Sequence, residues 1–224
     1  AIMRPGLRGT EWTSHLGRAS CGWLGVTCMF AAATQIPLAD ATAISFLSPL
    51  FTILLAVIFL REIVRRPQII GAGVAVIGVV LLLAPGAEGF RPAAFIALAG
   101  AVVMGIESIF IKRLSDREPP VRILFLNKLI GATVAVIATS FVWQMPQLDQ
   151  WAMLAVLGLT MASAQALFIQ AMKRGDASKI APILNMTLVF AAFYDFALFG
   201  EIPTAVAALG ALAIVGGVLL ASRR

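Results

Sequence analysis

What most constrains this chain is a succession of long apolar runs separated by short basic or Pro/Gly-rich segments. The runs fall at residues 16–36, 41–60, 69–84, 93–111, 123–142, 151–171, 180–199 and 205–221. A hydrocarbon core about 30 Å thick is crossed by about 20 apolar residues in a helix, which satisfies its backbone polar groups internally. The pattern predicts an all-α polytopic membrane protein with eight transmembrane helices. The third and eighth runs are short, and 69–84 needs flanking residues or a thin bilayer to span fully. Composition agrees: 60% of the 224 residues are hydrophobic and 12% charged, against roughly 25% charged in soluble domains. A soluble globular protein is excluded.

The basic residues fix an orientation. Eight spans place Arg4, Arg8 and Arg18, then Arg61, Arg65 and Arg66, then Lys112, Arg113, Arg117, Arg122 and Lys128, then Lys173, Arg174 and Lys179, and finally Arg223 and Arg224 on one side. That is 16 of the 17 basic residues, with Arg91 alone on the other. The positive-inside rule makes the rich side cytoplasmic, so both ends face the cytoplasm of the inner membrane. Trp143 and Trp151 bracket a loop on the opposite face, where an aromatic belt is expected. The net charge of +6 follows from the loops and does not indicate nucleic acid, for which there is no polar domain.

No catalytic constellation appears. The one histidine, His15, falls in a polar lead-in before the first run, and no Cys, His and carboxylate cluster has metal-ligand spacing. Cys21 and Cys28 are seven positions apart, roughly 10 Å along a helix and too far for a disulfide. No enzyme activity, metal or cofactor is expected. The partners are the lipid bilayer and a small-molecule substrate, and a homo-oligomer is compatible with the pattern.

An offset of 139 superposes Ile44 on Ile183, Glu62 and Ile63 on Glu201 and Ile202, Gly71 and Ala72 on Gly210 and Ala211, and Gly78 and Val79 on Gly217 and Val218. The matched helices are five spans apart, so their orientations are opposite. An inverted repeat of this kind supports alternating access around a midplane site. Gly71, Gly78, Gly210 and Gly217 are expected to allow close helix contact, as are Ala97, Ala101 and Gly105 and, in another span, Gly158, Ala162 and Ala166.

Polar residues inside spans are costly and are candidates for the substrate pathway. Ser45, Ser48 and Thr52 form one helical stripe beside Pro49, which frees a backbone carbonyl. Their hydroxyls line a path or bond their own helix. Glu107, Asn127 with Lys128, and Asn185 lie on the cytoplasmic side, and Asp195, next to Tyr194, on the outer side. Glu107 is expected to be the proton- or substrate-sensing carboxylate ahead of Asp195, or else a snorkelled partner of Lys112 or Arg113. Asn185 bonds a neighbouring helix or a substrate. Glu62 and Glu201 precede helices that start near Pro67 and Pro203, where a carboxylate caps a positive helix end or takes part in gating.

The stretch QIPLADATAISFLSPLFTILLAVIFLRE with IIGAGVAVIGVVLL, and its second copy RGDASKIAPILNMTLVFAAFYDFALFGEIP with LGALAIVGGVLL, resemble the two halves of EamA-type carriers in the drug/metabolite transporter superfamily. The resemblance implies an inverted-repeat transporter fold of ten helices in two five-helix halves with cytoplasmic ends. Set on that pattern, residues 1–15 are a cytoplasmic lead-in, 16–84 a partial first repeat of three helices and 93–221 a complete second repeat. The first two of the ten helices are then lacking: the chain is part of a longer gene product, or a short form that completes its pore by association. The implied function is secondary or facilitative transport of a small organic metabolite across the cytoplasmic membrane by alternating access. The alternative is a helical membrane scaffold or accessory subunit that transports nothing.

Overall fold

The computed structural model describes residues 11–83, 92–140, 145–200 and 204–222. Among them the chain forms eight helical stretches. They are α1 (Trp12–Ala33); a second stretch made of α2 (Leu38–Ser45), α3 (Ser48–Leu55) and a π-helical turn (Ala56–Leu60); α4 (Arg66–Leu83); α5 (Pro92–Arg117); α6 (Pro120–Thr139); α7 (Leu148–Arg174); a seventh made of α8 (Ala177–Ile180), a 3-10 segment (Ala181–Asn185) and α9 (Met186–Phe199); and α10 (Ala205–Ser222). Six are long and apolar enough to cross a membrane, all but α1 and α10, and α10 holds a shorter apolar helix. The fold is all-α and membrane-embedded; six spans rather than eight meet the length and hydropathy requirement.

The chain divides into two compact units. The smaller consists of the described parts of Ala1–Ala19 and Phe110–Gly175, so it holds the start of α1, the end of α5, α6 and α7. The larger consists of Ser20–Ile109 and the described parts of Asp176–Arg224. In the smaller unit α5 gives way to α6 through Glu118 and Pro119 alone, because Pro119 is extended and Pro120 starts the next helix. On α7 most side chains are exposed, and Gly158 has open space around it. Of the small-residue stripe on α7, Gly158 is unpacked while Ala162 and Ala166 are half-buried. Ala97, Ala101 and Gly105 of α5 are buried, with Gly105 against Phe51 of α3.

The larger unit is built on α4 and α10. Both are apolar around their whole circumference, and their glycines let the two backbones meet. A Cβ on Gly71 would strike the carbonyl oxygen of Gly217, and one on Gly78 would lie 2.6 Å from that of Gly210. Conversely, a Cβ on Gly217 would lie 2.5 Å from the Gly71 oxygen and one on Gly210 2.7 Å from the Gly78 oxygen. The helices are thus antiparallel, since the pairing runs in opposite directions along them. Each contact has a counterpart at the 139 offset: Gly78 meets Ile214 as Gly217 meets Ala75, and Gly71 meets Ala221 as Gly210 meets Leu82.

Two of the apolar runs are broken, the second beside Pro49, where the sequence predicts a freed carbonyl, and the seventh at Pro182, where it predicts no interruption. The second stretch stops at Ser45, turns through Phe46 and Leu47 and restarts at Ser48, with Pro49 in the first turn of α3. Pro49 has no N–H to donate to Ser45, so an α-helix cannot run through. In the seventh stretch Pro182 cannot donate to Ser178, and α8 passes into the 3-10 segment. The prolines occupy different repeat positions, yet the breaks coincide: Leu47 N–H donates to Ile44 O at 3.0 Å and Met186 N–H to Ile183 O, at equivalent positions. Phe46 and Met186 pack on a cluster of Val79, Leu188 and Ile214, so both breaks rest on the α4 and α10 pair. The second and seventh stretches also end alike, in left-handed backbone at Arg61 (φ 55°) and Gly200 (φ 70°).

Gly78→Ala and Gly210→Ala are each expected to lower thermal stability in detergent by about 1–3 kcal/mol, because the new methyl meets main-chain atoms that cannot rotate away. The double variant should lose less than the sum, since both remove the same approach. Gly73→Ala and Gly216→Ala, with nothing within 4 Å of the added carbon, should be neutral or stabilising by up to about 1 kcal/mol. Equal losses at all four positions in a thermal unfolding assay would contradict the packing.

Candidate substrate pathway

Several polar side chains of the larger unit lie at the two breaks. Ser45 ends α2, Ser48 starts α3 and Thr52 follows one turn later; Ser45 and Thr52 are buried. Ser45 Oγ donates to Ala41 O at 2.9 Å and Thr52 Oγ1 to Ser48 O at 3.0 Å. These hydroxyl protons are spent on their own helix, which leaves lone pairs as what they can offer a solute. Across the seventh stretch, Asn185 closes the 3-10 segment and is 1% exposed. Its Oδ1 has no hydrogen-bond partner in the structure. A buried amide oxygen left unpaired costs about 1–3 kcal/mol. A ligand or water that donates a hydrogen bond there recovers this cost.

Glu107 lies on α5 with its carboxyl laid over Gly22 of α1. A Cβ at Gly22 would be 3.2 Å from Oε1 and 3.3 Å from Oε2, so an alanine there would push the carboxyl back by a small shift. Asp195 belongs to α9, but its side chain is outside the described residues, as is all of Glu201. Asn127 is half-buried on α6 of the smaller unit, and the neighbouring Lys128 is exposed.

Glu62 does not cap α4, the helix that follows it. It reaches instead the first turn of α8, accepting hydrogen bonds from Ala177 N–H at 2.8 Å, Ser178 N–H at 3.0 Å and Ser178 Oγ at 2.6 Å. The carboxylate thereby satisfies two of the orphan donors of a helix start. The start of α4 is closed by Gln68, whose side-chain oxygen accepts from Arg65 N–H at 2.7 Å.

The sequence pattern misses a polar cluster in the smaller unit. α1 begins at Trp12, one turn before the expected start, so His15 is a helical residue and not part of a lead-in. It is 1% exposed, and its Nε2 is 3.1 Å from Glu118 Oε2. Glu118 Oε1 accepts from Glu11 N–H at 3.0 Å, Glu11 accepts from Ser14 Oγ at 3.1 Å, and Arg117 pairs with Glu11. Arg18 is fully buried one turn beyond His15. The hydrogen bond and charge of Arg117 hold the Glu11 carboxyl below the ordinary carboxylate range. A signal was available: Glu11, Ser14, His15 and Arg18 share one helix face. Asp40, buried in the first turn of α2, was also missed.

A family model described as the EamA-like transporter family matches residues 2–84 and 91–223. The chain is 30% identical to an S-adenosylmethionine uptake transporter of Rickettsia bellii over 92% of its own length and 70% of that protein. It is 29% identical to the pseudopaline exporter CntI of Pseudomonas aeruginosa, over 92% of this chain and 71% of that one. It is 28% identical to a riboflavin transporter of Vibrio cholerae, over 95% and 72%. A crystal structure 22% identical in sequence has the same fold, with a TM-score of 0.83 over 96% of this chain and 77% of that chain.

Glu118→Ala should destabilise the protein by about 3 kcal/mol, the typical cost of breaking a buried pair and stranding the other member. Glu11→Gln should cost less, because Glu11 and Arg117 are partly in solvent. The folded pKa of Glu11 is depressed, so its contribution is fully present above the ordinary value of 4.5 and lost as pH falls through the lower folded value. Thermal unfolding of wild type and Glu11→Gln should accordingly differ by a constant amount from pH 8 to pH 5 and converge only in stronger acid.

Proposed function

Since the chain belongs to the EamA-like transporter family, we propose that it moves a small organic metabolite by alternating access, with the two helix breaks forming the solute-binding region. It is a multi-pass membrane transporter of small metabolites and not an enzyme, like the S-adenosylmethionine, pseudopaline and riboflavin transporters it resembles. The observation that carries the binding region is the pair of breaks at equivalent repeat positions, both resting on α4 and α10, with the unpaired Asn185 oxygen at one of them. Discontinuous helices that expose backbone and amide groups inside a bundle are how many secondary transporters build midplane sites. Asn185 accepts a hydrogen bond from the solute, Ser45 and Ser48 offer hydroxyl oxygens, and Glu107 senses a proton or an amine-bearing solute. Asn127 and Asp195 remain further candidates for solute contact. Transport is secondary or facilitative.

The division into a partial first repeat that ends at 84 and a second repeat at 93–221 is supported by the contacts that recur at the 139 offset and by the two separate family matches, whereas α1 starts at Trp12, inside the expected lead-in of 1–15. All eight stretches span, and both ends face the cytoplasm of the inner membrane. Supporting this orientation, Glu62 and Ser178 join two basic segments that topology puts on one side. Glu11 with Arg117 joins the first basic segment to the third, and Lys112 Nζ, donating to Met172 O at 3.1 Å, joins the third to the start of the fourth. Labelling of a cysteine placed at Asp116 from outside intact cells would contradict it.

Flux should be measured in proteoliposomes with the full-length gene product, over a panel that includes S-adenosylmethionine and riboflavin. Asn185→Leu is expected to raise KM by about 3- to 10-fold, the equivalent of one hydrogen bond. Glu107→Gln should remove the pH dependence of flux while leaving expression intact. If both variants keep the wild-type KM and pH profile, the binding region lies elsewhere.

A further inference from the structure

The three hydrogen bonds on Glu62 do more than close a helix end. Both carboxylate oxygens are occupied, and every donor belongs to the first turn of α8, which leads directly into the 3-10 segment that ends at Asn185. Ala177, Ser178 and Ala181 are at most 1% exposed, so this turn is enclosed by protein while Glu62 holds it. The left-handed residue Arg61 stops the π-helical turn immediately before Glu62. Glu62 belongs to the first repeat and α8 to the second, and their contact lies at the ends of the second and seventh stretches that carry the breaks. For α8 to move away from α3, all three bonds have to open together.

We propose that Glu62 and the first turn of α8 form a latch that keeps the cytoplasmic end of the pathway shut and must open for solute to exchange with the cytoplasm. This rests on the alternating-access reading and on its orientation. The latch is also uneven between the repeats. At the 139 offset Glu62 corresponds to Glu201, Ala177 to Leu38 and Ser178 to Ala39. Alanine has no hydroxyl, so an equivalent contact on the opposite side of the membrane lacks the Ser178 Oγ bond, the shortest of the three. In an inverted repeat the two access states exchange the conformations of the halves. Ser178 is then the positioning residue that biases the resting protein toward the cytoplasm-closed state.

The test uses the full-length protein with its native cysteines, Cys21 and Cys28 among them, replaced by serine, and Ala181→Cys as reporter. Ala181 is fully buried one turn beyond Ser178. Its labelling by a membrane-impermeant maleimide is followed in inside-out vesicles and in right-side-out cells. Ser178→Ala should raise the labelling rate in inside-out vesicles by roughly tenfold, the effect of one hydrogen bond to a charged group. Glu62→Gln should raise it further, and neither should raise it in right-side-out cells. Unchanged rates from both sides would overturn the latch while leaving alternating access standing on its flux measurements. Equal increases from both sides would also overturn it, as general loosening. An increase only in right-side-out cells would overturn the cytoplasmic placement. Ser178→Ala loses a single oxygen, so it keeps the question decidable if Glu62→Gln fails to insert.

Discussion

In lipid, two apolar helices gain nothing by hiding from the solvent, so they associate through close van der Waals contact and whatever hydrogen bonds they can share. The larger unit depends on one such contact. Gly71, Gly78, Gly210 and Gly217 remove the side chains that would keep α4 and α10 apart, and the two backbones touch at both ends of a seven-residue interval. The resulting pair brings main chain against main chain, and its Val79 and Ile214 join Leu188 in the apolar cluster on which Phe46 and Met186 pack. Helix breaks in a membrane are tolerated only where protein encloses the freed backbone groups. The rigid pair supplies that enclosure for both breaks.

The polar side chains are distributed according to what can satisfy them. Where a hydroxyl can bond its own helix, as in Ser45 and Thr52, it does so and is cheap to bury. Where a carboxylate is held, it meets a helix start or a buried histidine: Glu62 at α8, Glu118 at His15. Asn185 differs from these. Its oxygen is buried at a helix break without a partner, which is why the proposed binding region is centred on it.

Apolar run length made the helical class and the helix order legible in the sequence, because a helix that crosses lipid must be apolar for its whole length. The close glycine approach was legible too, since Gly at a seven-residue spacing in two copies has few other uses in a bilayer. The break beside Pro49 was legible in part, because a proline frees a backbone carbonyl and can kink its helix. The one at Pro182 was not, since hydropathy reads that apolar run as one continuous helix. Glu62 was legible as a capping residue, but its partner is 115 positions away and belongs to the other repeat. No local pattern encodes that pairing. His15 was misplaced because a polar stripe of Glu11, Ser14, His15 and Arg18 resembles a solvated lead-in until Glu118 is brought against it.

The seam between α4 and α10 has one more consequence. A contact in which Gly71 meets Gly217 while their repeat counterparts, Gly210 and Gly78, meet in turn is the kind a symmetric dimer makes, where one surface recognises itself through a two-fold axis. Two copies of a single helix, laid head to tail, would form it without further change. The covalent chain thus holds, inside one molecule, an antiparallel interface with the self-complementary logic of a two-fold dimer.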